Sequence, residues 1–184
     1  MNLIEQNAFD PNAAERTFSG LTDTSSDCSL TLELNPGDFH DWARLLDFLK
    51  IAFAHTQGRV SPPSTVYQMT AKDVAMRAAQ EDLLLAFSGK ALSGCLFLKE
   101  EADALFLGRF AIAADHQGSG LARRMLSVAE ARAREKNLCL LKLETRVSLK
   151  ENQEKFMRLG FDITGSRCHT GYSEPTTLIM CKHL

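Results

Sequence analysis

The sequence lacks several features that would point to particular classes of protein. Its 21 basic and 23 acidic residues leave a formal charge of −2, so no general attraction to nucleic acid or to an acidic membrane is expected. No apolar run approaches the length of a membrane-spanning helix. No group of His, Cys, Asp or Glu has the spacing of metal ligands, so we expect no metal.

The positions of the cysteines also give no indication of disulfide bonds. The five cysteines are odd in number, and none belongs to a Cys-x-x-Cys pair. Most lie in apolar runs, where a thiol acts as a small hydrophobic group, so we interpret them as reduced. The first residues have neither the basic region nor the apolar run of a secretory signal, and the expected location is therefore cytoplasmic. The cysteines are Cys28, Cys95, Cys139, Cys168 and Cys181.

The length and composition predict one folded domain. A chain of 184 residues, 45% of them hydrophobic, can bury a substantial core. Residues 1–27 are polar and show little periodicity, which predicts a loosely held tail or arm. Residues 28–184 carry the alternating and helical patterns of a domain.

Hydrophobic periodicity predicts the element order β-α-α-β-β-β-α-β-α-β-β. Two hairpins make part of the sheet antiparallel, and the strand–helix–strand unit over residues 104–143 makes one central pair parallel. The fold class is therefore α/β of the α+β type, a single mixed, mostly antiparallel sheet of about seven strands with four helices. The strands are predicted over residues 28–34, 83–87, 92–98, 104–112, 138–143, 161–168 and 176–181.

Capping residues predict where the helices begin and end. Asn35-Pro36 is typical of a helix start, since Asn is a good N-cap and Pro is favoured in the first turn. Asn137 tolerates the left-handed backbone that often ends a helix. Two further starts have the spacing of a capping box. They are Thr70 with Asp73, and Ser148 with Glu151.

The most informative segment is Gln117-Gly118-Ser119-Gly120-Leu121-Ala122, which follows an apolar strand and opens a long helix. Two glycines allow backbone N–H groups to approach a ligand without interference from Cβ atoms. A helix N-terminus adds unpaired donors and the positive end of a dipole. This combination predicts a site for a phosphate or pyrophosphate group.

Two familiar phosphate sites fit this segment poorly. A P-loop requires Gly-Lys-Ser/Thr, and Gly120 is followed by Leu121-Ala122. A dinucleotide fingerprint requires a small third residue for close packing of helix on strand, and that position is Arg123. Five residues also separate Ile112 from Gly118, where the dinucleotide fold has an immediate turn. A nicotinamide-dependent oxidoreductase is therefore the weaker alternative.

The glycine segment resembles the acyl-CoA loop of the GCN5-related N-acetyltransferases, the GNAT family. The family pattern is Gln/Arg-x-x-Gly-x-Gly/Ala, and Gln117, Gly120 and Ala122 match it position for position. Downstream, residues 143–146 resemble the end of the family's fifth strand. Residues 156–161, Phe-Met-Arg-Leu-Gly-Phe, resemble its Tyr-x-x-Leu-Gly-Phe segment. The resemblance then extends over residues 83–184, and the first two helices fit the family's more variable substrate half.

The resemblance implies a direct transfer of an acetyl group from acetyl-CoA to a primary amine. Loop N–H groups would hold the pyrophosphate, and the edge of the preceding strand would pair with the pantetheine. The central parallel strands would splay apart to admit the thioester, and Asn152 would touch the pantetheine arm. The implied acetyl-CoA residues are Phe110, Ala111, Ile112, Gln117, Gly118, Ser119, Gly120, Leu121, Ala122 and Asn152.

The acid and base of the reaction are less clearly marked. The tyrosine that protonates the leaving thiolate in many relatives is replaced by Phe156, which has no proton to give. Three residues are candidates for proton transfer. Glu144 ends a strand beside the expected cleft, and His169 and Tyr172 lie in the loop between the last two strands. A histidine suits this work because it titrates near neutral pH.

The sequence does not identify the acceptor. A small-molecule amine, a protein N-terminus and a lysine side chain all stay open as partners, and so does a homodimer. The loss of the tyrosine at Phe156 also keeps a second function open, in which the same fold binds acyl-CoA as a sensor or regulatory module without turnover.

Overall fold

Seven strands form one mixed sheet in the computed structural model of the protein, which describes residues 30–184. Every neighbouring pair is antiparallel except one central pair, which confirms the expected fold class. The predicted tail over residues 1–27, and Cys28, lie outside the described residues. The strands are β1 (Leu30–Leu34), β2 (Asp82–Ser88), β3 (Ala91–Glu100), β4 (Leu105–Ile112), β5 (Leu140–Arg146), β6 (Asp162–Arg167) and β7 (Thr177–His183), in the spatial order β1-β2-β3-β4-β5-β7-β6.

Four helices pack on this sheet in the part of the chain that the structure describes. Their order among the strands is the predicted one, with three short 3-10 helices added in the connections. Between residues 30 and 184, no helix is both long and apolar enough to cross a bilayer. The helices are α1 (Trp42–Ala52), α2 (Ala71–Ala78), α3 (Leu121–Glu135) and α4 (Lys150–Arg158), and the 3-10 helices are Ala54–Thr56, Thr65–Gln68 and Ala114–His116.

Each face of the sheet carries its own apolar core. α3 and α4 share one face, where Met125 is fully buried and Phe156 packs against the same cluster. The approach of α3 is so close that a Cβ on Gly94 of β3 would lie 2.7 Å from the Met125 sulfur. α1 and α2 cover the other face with Leu45 and Leu49 in the cluster that contains Phe97. The glycine loop and the α1–α2 connection therefore belong to opposite faces.

Two of the four capping predictions are confirmed. Thr70 and Asp73 form a reciprocal capping box at the start of α2, in which the Thr70 hydroxyl accepts from the Asp73 N–H at 3.3 Å. The Asp73 carboxylate accepts from the Thr70 N–H at 2.7 Å. Asn137 has the left-handed backbone conformation, with φ of +57°, just after the end of α3.

The predicted N-cap at Asn35 is wrong. α1 begins at Trp42, and the side chain that caps it is Asp41, which accepts from the Arg44 N–H at 3.1 Å. Asn35 instead has φ of +52° and follows β1. Its amide donates to Asp82 at 2.7 Å and accepts from the Leu83 N–H at 2.7 Å. A cross-strand partner competes with the local cap for a side chain of this kind.

The predicted capping box of Ser148 and Glu151 is also wrong. α4 begins one residue later than the box requires, after Leu149, which is buried and makes no side-chain cap. Glu151 instead pairs with Arg59 at 2.6 Å. The turn before α4 is held by Gln153, whose amide donates to the carbonyls of Arg146 and Val147 at 3.0 and 2.9 Å. Burial of Leu149 therefore decides the register of this helix.

A polar network around Asp82 ties β2 to α3 and to the end of β1. Asp82 accepts from Arg132 at 2.7 and 3.2 Å and from Asn35 at 2.7 Å, and Lys136 lies 3.9 Å away. Burial raises the pKa of the Asp82 carboxyl, but these hydrogen bonds and charges outweigh burial, so the pKa lies below its usual range. The charged carboxylate therefore stabilises the fold.

We predict that Asp82→Asn lowers the free energy of unfolding at neutral pH by roughly 1–3 kcal/mol, because it removes the charge that Arg132 and Lys136 share. Because the pKa of Asp82 is depressed in the folded state, the loss of unfolding free energy relative to the parent is fully present above the unfolded pKa of about 3.9. It disappears as the pH falls through the lower folded pKa. Urea denaturation between neutral and acidic pH measures both effects.

The matched control for this measurement is Glu154→Gln. It removes an equally charged carboxylate from an exposed pair with Arg158 at 4.0 Å. An exposed pair contributes little, so this variant should change the unfolding free energy by less than about 0.5 kcal/mol. Equal effects of the two substitutions would contradict the role given to the Asp82 network.

Candidate functional site

The central parallel strands separate after a short ladder. β4 and β5 pair only over Leu105–Leu107 with Leu141–Leu143. β4 then continues to Ile112 and β5 to Arg146 with no further pairing between them. The splay expected from the sequence is therefore confirmed, and it opens a wedge in the middle of the sheet. Gly108 and Glu144 are the first residues beyond the last pair on the two strands.

A bulge in β4 lies at the start of this wedge. The register against β3 shifts between the pairs Phe97–Gly108 and Cys95–Ala111, and Arg109 within the shift has φ of +52°. Past the bulge, β4 pairs with β3 on one side only. Its other edge presents backbone donors and acceptors that no described strand satisfies, so an extended polar ligand can pair with it. The implied pantetheine residues Phe110, Ala111 and Ile112 form this edge.

The glycine loop connects the end of β4 to α3. Gly118 and Gly120 have φ of +82° and +86°, a backbone conformation that L-residues with a side chain rarely adopt. The Ser119 hydroxyl donates to the His116 carbonyl at 2.7 Å and lies 3.4 Å from the Leu121 nitrogen, which fixes the turn. The side of the loop where Cβ atoms would project is open space at both glycines.

The backbone donors of this loop are available. Within residues 30–184, the N–H groups of Gly118, Gly120, Ala122 and Arg123 donate to no protein group, and the first bond of the helix comes from the Arg124 N–H to the Gly120 carbonyl at 3.1 Å. The 15-residue α3 directs its positive dipole end to the same place. Such an arrangement can bind an anion.

Aromatic rings line the wedge on the α3–α4 face. The ring centroids of Phe110 and Phe156 are 6.2 Å apart, and those of Phe156 and Phe161 are 5.9 Å apart. The residue at the family's tyrosine position therefore lies beside the open edge of β4 and offers an apolar surface there. Asn152 is half-buried one turn earlier in α4, and its side chain makes no hydrogen bond within the described residues.

Polar and charged groups occupy the other face. Glu144 is about one quarter exposed and forms a two-point pair with Arg167 of β6, at 2.5 and 3.2 Å. This pair raises the pKa of the Arg167 guanidinium. Both oxygens of the Glu144 carboxylate are therefore engaged by the guanidinium.

His169 lies in the β6–β7 loop against Arg146 of β5. One guanidinium nitrogen of Arg146 is 3.1 and 3.2 Å from the two ring nitrogens, and the Thr176 hydroxyl is 2.5 Å from Nδ1. Partial burial, and then the charges of Arg146 and Arg167, hold the pKa of His169 below its usual range. The neutral imidazole, which can accept a proton, is therefore favoured near neutral pH.

Two loops meet over this face through polar contacts. Arg146 donates to the Pro62 carbonyl at 2.9 Å, and the hydroxyls of Ser61 and Tyr172 are 2.6 Å apart. The α1–α2 connection is thus joined to the β6–β7 loop above β5. The structure brings Glu144, His169 and Tyr172 to the same face of the wedge.

Two arginines in this region were not predicted as site residues. Arg146 organises the His169 loop, and Arg109 is half-buried at the bulge with its Nε fully buried. The sequence does carry a signal for Arg109, because a charged residue interrupts the apolar run of residues 104–112. Arg146 has no such signal, since it lies at the end of an alternating strand where a charged residue is ordinary.

Comparisons with known proteins agree with this geometry. The model of the acetyltransferase (GNAT) family matches residues 42–161. A GNAT family acetyltransferase from Elizabethkingia anophelis with acetyl-CoA bound is 18% identical, with 84% of this chain and 98% of that chain covered and a TM-score of 0.63. An acetyltransferase from Streptococcus agalactiae is 15% identical, with 84% and 98% covered and a TM-score of 0.66.

The ribosomal-protein-S18-alanine N-acetyltransferase of Escherichia coli is similar as well. It is 16% identical, with 84% of this chain and 94% of that chain covered and a TM-score of 0.59. At these identities the likeness establishes the fold. A comparison with curated protein sequences found no match.

We predict that His169 titrates below the ordinary histidine value of about 6.5. Arg146→Gln should raise its midpoint, because that substitution removes the nearest cation and so makes the imidazolium less unfavourable. NMR titration of the imidazole resonances measures both values. Arg158→Gln is the control, since Arg158 is exposed on α4 and, among residues 30–184, pairs only with Glu154. A midpoint that Arg146→Gln leaves unchanged would contradict the prediction.

Proposed function

The chain belongs to the acetyltransferase (GNAT) family, and we propose that it transfers the acetyl group of acetyl-CoA directly to a primary amine of a small molecule. One observation carries the proposal. The unpaired edge of β4 beyond Leu107 leads, through one short 3-10 helix, to the glycine loop, where four N–H groups have no partner within residues 30–184. A ligand with an extended amide arm and a pyrophosphate matches these two features together.

The acetyl-CoA would be held by backbone groups more than by side chains. The N–H groups of Gly118, Gly120 and Ala122, which no described residue engages, would bind the pyrophosphate, with Gln117, Ser119 and Leu121 completing the loop. The edge of Phe110–Ile112 would pair with the pantetheine amides, as an added strand does. Asn152 would reach the same arm from α4. The side chains of Phe110 and Phe156 would pack beside its sulfur end.

The reaction requires the wedge to be open on both faces, one for acetyl-CoA and the other for the amine. The amine nitrogen attacks the thioester carbon, a C–N bond forms and the C–S bond breaks. The products are the N-acetyl amine and CoA, and the proton lost by the amine balances the one gained by the thiol. A backbone N–H near Ile112 would polarise the carbonyl oxygen.

Neutral His169 is the best supported acceptor of the amine proton. Its lowered pKa keeps it unprotonated near neutral pH, and it faces the same side of the wedge as Tyr172. Glu144 would act on the amine through its charge, because Arg167 engages both of its oxygens. The thiolate would depart without the tyrosine acid, since Phe156 has only a ring at that position.

The proposed activity is tested by thiol release. Protein, acetyl-CoA and a panel of primary amines are mixed, free CoA is measured with a thiol reagent, and the acetylated product is identified by mass spectrometry. We expect CoA release that depends on the amine and matches the product in amount. Release without an amine would indicate only hydrolysis.

A sensor that binds acyl-CoA without turnover is the second candidate, and the apolar ring of Phe156 is the observation that favours it. The same assay separates the two functions. Acetyl-CoA binding, measured by calorimetry, with no amine-dependent release across small amines, peptide N-termini and lysine peptides would support the sensor and overturn the transferase.

We predict that Gly120→Ala weakens binding of CoA and acetyl-CoA by roughly tenfold or more, because a Cβ would project from the loop surface that holds the pyrophosphate and the positive φ would be strained. Calorimetric titration with CoA measures the change. Gly89→Ala is the control, since Gly89 also has a positive φ of +58° but lies in the β2–β3 turn. Equal losses of affinity in both variants would contradict the assignment of the loop.

A further inference from the structure

Arg109 is a half-buried cation that lacks a carboxylate partner among residues 30–184. Its Nη2 donates to the Thr65 hydroxyl at 2.7 Å and lies 3.7 Å from the Met69 sulfur. Its buried Nε has no hydrogen-bond partner in the described part of the chain. Burial, and then the neighbouring charge of Arg77, lower the pKa of this guanidinium. A cation in such a place is costly unless an anion joins it.

The carboxylates near Arg109 already have partners. Glu81 pairs with Arg77 at 2.9 Å, and its side chain is only 10% exposed. Asp73 is occupied by the capping box with Thr70. The charge of Arg109 therefore has no fixed counterpart in this region of the described structure.

A cavity of about 350 Å3 lies between α2 and β4, and the two arginines line it. Met69 and Met76 supply apolar wall, while Arg77 and Arg109 supply guanidinium donors. Asp73 and Glu81 also line the cavity, and their carboxylates are held by Thr70 and Arg77. The volume is that of a small-molecule site. The lining therefore suits a ligand with an anionic group and a short apolar part.

The position of Arg109 relates this cavity to the wedge. Arg109 is the second residue of β4 beyond the last pair with β5, and it immediately precedes the edge Phe110–Ile112. A strand rises about 3.3 Å per residue, so this edge begins within a few ångströms of Arg109. A ligand held at Arg109 can therefore extend toward the wedge.

We propose that Arg109, with Arg77 beside it, binds a carboxylate of the acceptor, and that the acceptors are small amino acids and related amino carboxylates. This inference rests on the proposed acetyl transfer. Guanidinium matches a carboxylate in shape and charge, and Arg109 and Arg77 both line the cavity that would receive it. The amino group of the same molecule then faces the open edge of β4, where the thioester carbon is attacked.

The experiment compares acceptors that differ only in this charge. Each amino acid is assayed beside its carboxamide, and beside the matching aminophosphonate, with acetyl-CoA and the full chain. We expect kcat/KM for the acids to exceed that for the amides by roughly tenfold or more. Rates with phosphonates above those with acids would overturn the carboxylate assignment in favour of a phosphate-like group.

Three variants connect the preference to Arg109. Arg109→Gln should bring the ratio of acid to amide close to one, and Arg109→Lys should keep part of it. Thr65→Ala should lower the ratio less than Arg109→Gln, because the charge stays while its tether is lost. Arg158→Gln, which changes an exposed side chain of α4, should leave the ratio unchanged. Melting temperatures and circular dichroism verify that each variant folds. If Arg109→Gln does not fold, Arg109→Lys and Thr65→Ala show whether the preference for acids depends on Arg109.

Direct binding separates failure of this inference from failure of the proposed function. Calorimetry measures binding of the amino acids to the protein–CoA complex. If the amino acids bind in a way that depends on Arg109 but no amine causes release of CoA from acetyl-CoA, the carboxylate site is supported and the transferase is overturned. CoA release with amides as good as acids, or an acid preference that Arg109→Gln leaves intact, would overturn the site. The carboxylate site would also be overturned if the amino acids did not bind and were not preferred over their amides.

Discussion

The incomplete ladder between β4 and β5 is the constraint on which the rest of the molecule depends. Three paired residues hold the sheet together, and five further residues of β4 leave one edge without hydrogen bonds from a neighbouring strand. β3 pairs with the other side of β4, and α3 packs closely on the face of the sheet at β3. The fold thereby presents a polar backbone edge to the wedge, on the strand that leads to a loop with N–H groups that no described residue engages.

The two faces of the wedge supply different chemistry. On the face of α3 and α4, glycine backbone and the rings of Phe110 and Phe156 offer donors and apolar surface. On the face of α1 and α2, arginine, histidine and carboxylate side chains are grouped around the opening. A cofactor recognised through its backbone-like arm and an acceptor recognised through its charge can therefore approach the same point from opposite directions.

The sequence predicts the sheet, the element order and the glycine loop well, because these follow from local periodicity and from turn residues. It fails where distant partners compete with local ones. Asn35 bonds across the strands to Asp82 instead of capping a helix, and burial of Leu149 shifts the start of α4. The surroundings of His169 depend on Arg146, which is distant in sequence and comes into place only when β5 and the last loop are side by side.

The contacts that join the loops above β5 also bear on the rate at which the site exchanges its contents. The α1–α2 connection is fastened by the pair of Arg59 with Glu151, in which both side chains are nearly half exposed, and by the hydroxyl contact of Ser61 with Tyr172. Exposed pairs of this kind contribute little energy and weaken with dissolved salt. Dissolved salt therefore weakens the Arg59–Glu151 link of the connection, while the uncharged contact of Ser61 with Tyr172 is left in place.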